Sequence, residues 1–247
     1  MKKSILTLSL ILFTLSAGAW NKLSLPAITA LAAKHLTSEA TVATKAALGT
    51  DFAVCNITDR SKYLFHLSNE YAPISKEAND ALMTIDNSIE QLSKDRNNKE
   101  AILSLARAIA DMHSVANVRI EGNEMSHKEF TVRRWNNRNG KMARYKDCGW
   151  RFLWNSYYAY KQAILTADLY AEDIDLYHID RLGDFQKGTP AEWAKDMAAE
   201  SRVIYSRELT DNYVLTQEDV NYWAFTHDRL LAKASYRLAA ILNQIFK

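Results

Sequence analysis

The chain has 247 residues, of which 48% are apolar and 24% are charged, a composition that excludes disordered and collagen-like proteins. Only seven glycines and three prolines are present, which disfavours sandwiches and barrels with their frequent turns and favours long helices. The length predicts one domain.

The first nineteen residues have the pattern of a secretory signal peptide. Lys2 and Lys3 precede an apolar run, Ile5–Leu15, and the small residues Ala17-Gly18-Ala19 form a cleavage site. The run is too short to span a bilayer and no later segment reaches about 18 apolar residues, so we expect a secreted or periplasmic chain of residues 20–247 without a transmembrane segment. Without the two lysines, 29 basic residues balance 29 acidic ones, so any nucleic-acid contact requires a local basic patch.

Helical periodicity begins directly after the predicted cleavage site. Leu25–Leu36 predicts an apolar first helix, and Thr37 offers the N-terminal cap of a second. Ser75 precedes the amphipathic segment Lys76–Asp95, and the same pattern recurs in Glu100–Val115. These segments predict a helical first half.

The helical period is lost between Val118 and Tyr145. Glu129–Arg133 alternates like a short strand before Asn139-Gly140, which predicts a small β-hairpin. The helical pattern resumes in Trp150–Leu169.

Two capping boxes mark the last helices. Thr189-Pro190-Ala191-Glu192 opens a helix towards Arg207, and Thr216 with Asp219 opens another that ends at Ile245. The elements together predict one all-α domain with a small β-hairpin excursion.

Common catalytic motifs are missing from the sequence: it has no glycine-rich phosphate loop, no Gly-x-Ser-x-Gly and no Cys-x-x-Cys. The informative feature is the order of several weaker motifs. In chain order they are Trp20, Leu36–Ala40, His66, Ile109–His113, Gly122-Asn123, Trp150–Asn155 and Tyr236–Asn243.

This order resembles the zinc-dependent single-strand-specific nucleases, the S1/P1 nuclease family, over essentially all of residues 20–247. Ala110–Asn117 resembles the helix end that carries the family's bridging aspartate, Gly149–Asn155 a later ligand motif, and Ala234–Ala239 the family's C-terminal motif. The resemblance implies export and a single-domain helical bundle of the phospholipase C/P1 nuclease type. It also implies a trinuclear zinc cluster that hydrolyses phosphodiesters of single-stranded RNA and DNA and removes 3′-phosphates from nucleotides.

Most zinc ligands of the family are replaced when they are carried across position by position. The residues that stand in their places are Leu25, Arg107, Asn117, Arg151 and Asn155. The retained metal-binding positions are Trp20, His66, the bridging Asp111 and Asp51, for whose place Asp59 competes. Because arginine has no lone pair to give and its charge repels a dication, the zinc site of Asn117, Arg151 and Asn155 cannot form.

Arg107 and Arg151 put positive charge where the family has zinc-binding histidines. With Asn117 and Asn155 they are candidates to bind a phosphate or nucleotide-like anion without hydrolysing it. The plainer alternative for Arg107 is a salt bridge to Asp111, which lies four residues further on the same helix face. We therefore expect a catalytically impaired pseudoenzyme that needs no cofactor and whose ligand is phosphate, a nucleotide or single-stranded nucleic acid. No protein partner is indicated.

Two alternatives stay open. In one, the protein is an active endonuclease or 3′-nucleotidase with a single residual zinc ion on Trp20, His66 and Asp111, with Asp111 serving catalysis. The other concerns Cys55 and Cys148, which reach an oxidising compartment and either form a disulfide or stay unpaired. Within this second alternative, unpaired cysteines would form a replacement zinc site together with His66.

Overall fold

The structure is a computed structural model that describes residues 23–55, 57, 62–75, 78–136, 144–158 and 166–247. Within these ranges the protein is largely helical and has two small sheets. The helices are α1 (Ser24–Lys34), α2 (Ser38–Leu48), α3 (Ala81–Lys94), α4 (Lys99–Met112), α5 (Glu124–His127), α6 (Trp150–Phe152), α7 (Ala167–His178), α8 (Leu182–Gln186), α9 (Pro190–Tyr205) and α10 (Gln217–Ile245). The strands are β1 (Phe65–Leu67), β2 (Val118–Ile120), β3 (Thr131–Asn136), β4 (Arg144–Gly149) and β5 (Tyr213–Val214).

Side-chain caps fix the starts of the predicted helices. The Thr37 hydroxyl accepts a hydrogen bond from the backbone N–H of Ala40 and begins α2. Complete capping boxes begin α9, at Thr189, and α10, at Thr216. Each box satisfies backbone N–H groups that the first turn of a helix leaves without partners. The predicted starts of α2, α9 and α10 are therefore confirmed.

The long helix α10 forms the centre of the core. It is 29 residues long and packs against α1, α4, α7 and α8. Small residues such as Ala232, Ala234 and Ala239 are fully buried along it and let the neighbouring helices approach closely. The apolar helix α1 lies between α7 and α10, and α3 packs along α4 as a helical hairpin.

Two sheets complete the fold. The predicted hairpin is confirmed by antiparallel pairing of β3 with β4, in which Val132 lies opposite Cys148. Strand β5 pairs in parallel with β3 on its other side. The parallel pair of β1 and β2, with His66 opposite Arg119, was not predicted, because three-residue strands carry too little pattern to be recognised.

Two predicted helix boundaries are wrong. Helix α3 begins at Ala81 instead of Lys76, because the Asp80 carboxylate accepts a hydrogen bond from the backbone N–H of Met83 and caps the helix there. Trp150–Leu169 is not one helix, because α6 continues as a π-helix over Leu153–Tyr157 and Thr166 caps a new helix, α7.

A buried polar network holds the C-terminal end of α4 against α9 and α10. The His113 Nδ1–H donates to the carbonyl of Ile109 at 2.7 Å, and its Nε2 accepts a hydrogen bond from Arg237 Nη1 at 2.8 Å. Burial and the Arg237 charge lower the pKa of His113 to about 3, so its ring is neutral. Arg237 and Lys233 both bind the carboxylate of Asp196.

The predicted signal peptide and Trp20 lie outside the described residues. Across the ranges that are described, no helix combines the length and the apolar character needed to cross a bilayer.

Candidate functional site

The carboxylate of Asp111 is the centre of the candidate site. Asp111 lies near the end of α4 and is fully buried. Its Oδ2 accepts hydrogen bonds from Arg107 Nε at 2.8 Å and from the backbone N–H of Tyr63 at 3.0 Å. Its Oδ1 accepts one from Asn117 Nδ2 at 3.1 Å. Both carboxylate oxygens therefore have protein partners.

Local helix geometry explains how these side chains meet. Arg107 precedes Asp111 by one helical turn, so the two side chains lie on the same face of α4. A 3₁₀ turn, Val115–Asn117, follows the helix and brings Asn117 back towards it. The Asn117 amide also donates to the backbone carbonyl of Asp111 at 3.3 Å, so it caps the end of the helix. The salt bridge between Arg107 and Asp111 that the sequence offered as an alternative is present.

Asn155 lies beside this cluster but is linked to it indirectly. It belongs to the π-helical segment and is buried, and its Oδ1 accepts a hydrogen bond from Ser114 Oγ at 2.6 Å. Asn155 Nδ2 and Asn117 Oδ1 are buried and have no hydrogen-bond partner among the described residues. The two amides predicted to bind an anion thus each keep one unused polar atom.

Arg151 binds a different carboxylate. Its Nε lies 3.2 Å from Glu129 Oε2, and its backbone N–H donates to Glu129 Oε1 at 3.0 Å. Gly149 allows this contact, because a Cβ at that position would overlap the Glu129 carboxylate. Of the four predicted anion-binding residues, Arg107 and Asn117 meet at Asp111, whereas Asn155 and Arg151 have separate partners.

The predicted metal-binding residues His66 and Asp51 each contact a different residue, and neither contact is with Asp111. His66 Nδ1 lies 2.9 Å from Oδ2 of the buried Asp80. Asp51 is exposed and forms an ion pair with Lys45 at 2.8 Å. Trp20 and Asp59 lie outside the described residues.

The described residues also bear on the predicted zinc sites. They contain no group of three or more His, Cys, Asp or Glu side chains positioned to hold a metal ion. At Asp111 the neighbouring groups are a guanidinium and an amide N–H, which donate hydrogen bonds instead of electron pairs. Leu25, at which the sequence resemblance predicted a replaced ligand, is an apolar core residue of α1.

Sequence reasoning missed two basic residues near this cluster, Lys62 and Arg119. The Lys62 ammonium is screened from solvent and has no hydrogen-bond partner in the described part of the chain. Burial, followed by the positive charges of Arg151 and Arg119, lowers the pKa of Lys62 to about 7, although the charges of Asp111 and Glu129 act in the opposite direction. The charged Arg119 between the apolar residues of β2 was the signal that could have indicated this site.

The guanidinium of Arg119 is buried without a carboxylate partner. The residue is only 8% exposed, and Nη1 donates to the backbone carbonyls of Ala116 and Val118 at 3.3 and 2.6 Å. No described Asp or Glu forms a salt bridge with it. Burial lowers the pKa of Arg119, but arginine remains charged at physiological pH.

No protein-family model matches the chain, and no curated protein matches it significantly. The resemblance to the S1/P1 nucleases stays a prediction from the sequence motifs.

Cys55 and Cys148 both lie within the described ranges, and the structure has no disulfide between them. Cys55 is buried and Cys148 is half-buried. Burial raises the pKa of the Cys55 thiol to about 11, which leaves very little reactive thiolate near neutral pH.

We expect a maleimide reagent to label both cysteines when the protein is denatured without a reductant. In the native protein, labelling of Cys55 should be much slower than labelling in the denatured chain, because the thiol is both buried and protonated. Mass spectrometry of the labelled chain measures both results. Labelling that requires prior reduction would show a disulfide and contradict this expectation.

Proposed function

We propose that this protein is an exported, degenerate relative of the S1/P1 nucleases, with a helical bundle of the phospholipase C/P1 nuclease type. In our proposal it has lost most or all of the hydrolytic activity and binds phosphate or nucleotide-like anions. Export is supported by the Lys2–Ala19 pattern, and the fold type by the order of motifs and by the largely helical architecture.

The observation that carries the proposal is that both carboxylate oxygens of Asp111 already accept hydrogen bonds from the protein. A bridging aspartate must offer its oxygens to metal ions, but here Arg107, Asn117 and the Tyr63 backbone occupy them. The guanidinium of Arg107 supplies the positive charge that a buried carboxylate needs. Such a pair requires no metal for its stability.

Loss of hydrolysis follows from the chemistry of a guanidinium. Metal-assisted phosphodiester cleavage uses the ion to lower the pKa of a bound water and to stabilise the attacking and leaving oxygens. A guanidinium neither coordinates water nor generates hydroxide, although it binds oxyanions well. The arrangement around Asp111 therefore favours binding over turnover.

Anion binding is supported by the balance of charge next to Asp111. Lys62, Arg119 and Arg151 influence one another electrostatically. Among the described residues, the carboxylates that act on Lys62 are Glu129 and Asp111, and Asp111 is already paired with Arg107. This excess of positive charge favours an anionic ligand.

Metal analysis and a nuclease assay test the proposal on the mature protein. We expect substoichiometric zinc after purification in zinc-containing medium, and no hydrolysis of single-stranded DNA or 3′-nucleotides above a heat-denatured control. Added zinc should not restore activity. Stoichiometric zinc that is lost on chelation together with hydrolysis would instead establish the alternative, an active enzyme with a reduced zinc site.

A further inference from the structure

The position of the Lys62 side chain requires an explanation that its protein neighbours do not provide. Its ammonium is screened from solvent, yet no described group accepts a hydrogen bond from it. A buried ammonium ion without an acceptor is unfavourable, because it loses its hydration and no protein hydrogen bond replaces it. A bound anion would supply the missing acceptor.

Arg119 is a second cation whose direct hydrogen bonds to the described residues supply no negative charge. Its Nη1 is bound by two backbone carbonyls, whereas its Nε and Nη2 form no hydrogen bond with the described residues. Backbone carbonyls are neutral and leave the charge of the guanidinium uncompensated. Arg119 therefore has both charge and donors to offer to a ligand.

Arg151 provides the third positive charge and the connection to solvent. Its side chain is 29% exposed, and its partner Glu129 is 43% exposed. An exposed ion pair of this kind is weak and can be replaced by a stronger ligand. Glu129 thus competes for Arg151 with any anion that enters.

We propose that Lys62, Arg119 and Arg151 together bind one oxyanion of the phosphate class, either inorganic phosphate or the terminal phosphate of a small monoester. The inference takes its ligand class from the proposed function but assigns different residues. Arg107 and Asn117, which the sequence suggested, are already bound to Asp111.

The chemistry of the three side chains favours a compact oxyanion. Two guanidinium groups offer paired N–H donors that match the oxygens of a tetrahedral anion, and the lysine adds a point charge. Binding of a continuous nucleic-acid strand uses an open groove with stacking aromatic residues. A site in which Arg119 is 8% exposed and the Lys62 ammonium is covered suits a small or terminal phosphate better.

Isothermal titration calorimetry of the mature protein with inorganic phosphate and with sulfate, near pH 6.5, tests the assignment. We expect Lys62→Met and Arg151→Met each to weaken binding by about tenfold or more, because each removes a charge-assisted hydrogen bond. The control Lys187→Met, which removes an exposed lysine paired with Asp184, should leave binding unchanged. Equal affinity in all of these variants would overturn the proposal.

Glu129→Gln keeps the test valid if Lys62→Met fails to fold. The Glu129 side chain is partly exposed, and the substitution removes the negative charge that competes with an anion for Arg151. We therefore expect phosphate to bind severalfold more tightly. Unchanged or weaker binding in Glu129→Gln would contradict the assignment. A nucleoside 5′-monophosphate, titrated in parallel, distinguishes a terminal phosphate from the free ion.

The outcomes separate this inference from the proposed function. If phosphate binds equally well to the Lys62→Met and Arg151→Met variants, the assigned site is wrong, but the proposed anion-binding function is retained. Zinc-dependent hydrolysis together with the expected variant effects would overturn the proposed function and leave the site. No binding of either anion would overturn the site and the anion-binding part of the proposed function.

Discussion

Replacing Arg107 with methionine is expected to destabilise the protein by about 3–5 kcal/mol, because it removes the salt bridge of the fully buried Asp111 carboxylate. Arg107 and Asp111 are 7% and 0% exposed in their side chains, so water cannot take over the role of the guanidinium. For a chain of this length, we expect the midpoint of thermal unfolding to fall by roughly 10 °C. Urea denaturation followed by circular dichroism measures the change in the free energy of unfolding.

The double variant Arg107→Met, Asp111→Asn is the matched control for this prediction. It removes the buried negative charge as well, and the new amide oxygen still accepts a hydrogen bond from Tyr63 or Asn117. We expect the double variant to lose less than about 2 kcal/mol, since replacing a whole buried ion pair is often tolerated. Arg133→Met, which breaks an exposed pair with Asp147, should cost less than about 1 kcal/mol. A single Arg107 variant as stable as this surface control would contradict the structure of the cluster.

The affinity for sulfate is expected to fall as the pH rises through about 7, where Lys62 loses its proton. The pKa of Lys62 lies below its ordinary value, so the ammonium form exists below about pH 7 and the neutral amine above it. Only the ammonium attracts an anion. Above this pH, the dissociation constant should rise by about tenfold per pH unit until the pKa of Lys62 in the complex is reached.

Sulfate is the suitable probe for this series because it does not titrate between about pH 6 and about pH 9, whereas phosphate does. Lys62→Arg is the control variant: a guanidinium stays protonated throughout this range, so its sulfate affinity should be nearly independent of pH. The other charged groups that act on Lys62 are Arg151, Arg119, Asp111 and Glu129, none of which has an ordinary pKa between 6 and 9. An equally steep pH dependence in wild type and in Lys62→Arg would assign the effect to another group.

Without a bound ligand, Lys62 has the opposite effect on the pH dependence of stability. Between about pH 7 and its ordinary pKa, Lys62 is neutral in the folded chain and protonated in the unfolded chain. The unfolded state then binds more protons, so this group makes the free energy of unfolding increase with pH in that range. Anion binding and intrinsic stability should therefore respond to pH in opposite directions.

Helix starts could be predicted from the sequence where the signal is local. Thr37, Thr189 and Thr216 cap helices through contacts with residues three positions further on, so their role depends on neighbours along the chain. The hairpin of β3 and β4 was predicted from alternation over a few residues. Where a start depended on a competing cap, as at Asp80, the sequence pattern alone placed it too early.

At the candidate site, too, the sequence predicted the contacts between residues that are close along the chain. The i, i+4 spacing of Arg107 and Asp111 on α4 is a property of the chain itself, and the ion pair it permits is present. The sequence also predicted that Leu25, Arg107 and Arg151, which have no electron pair to donate, stand in positions that the family resemblance assigns to zinc ligands.

Only the tertiary structure decided which cations lack a counter-charge. Glu129 lies 22 residues before Arg151 in the chain, and the antiparallel pairing of β3 with β4, in which Thr131 lies opposite Gly149, brings its carboxylate to that arginine. Lys62 and Arg119 come from separate segments and approach each other because their neighbouring strands β1 and β2 pair side by side. Charge compensation depends on distances of a few ångströms between residues far apart in sequence, and periodicity along the chain carries no information about those distances.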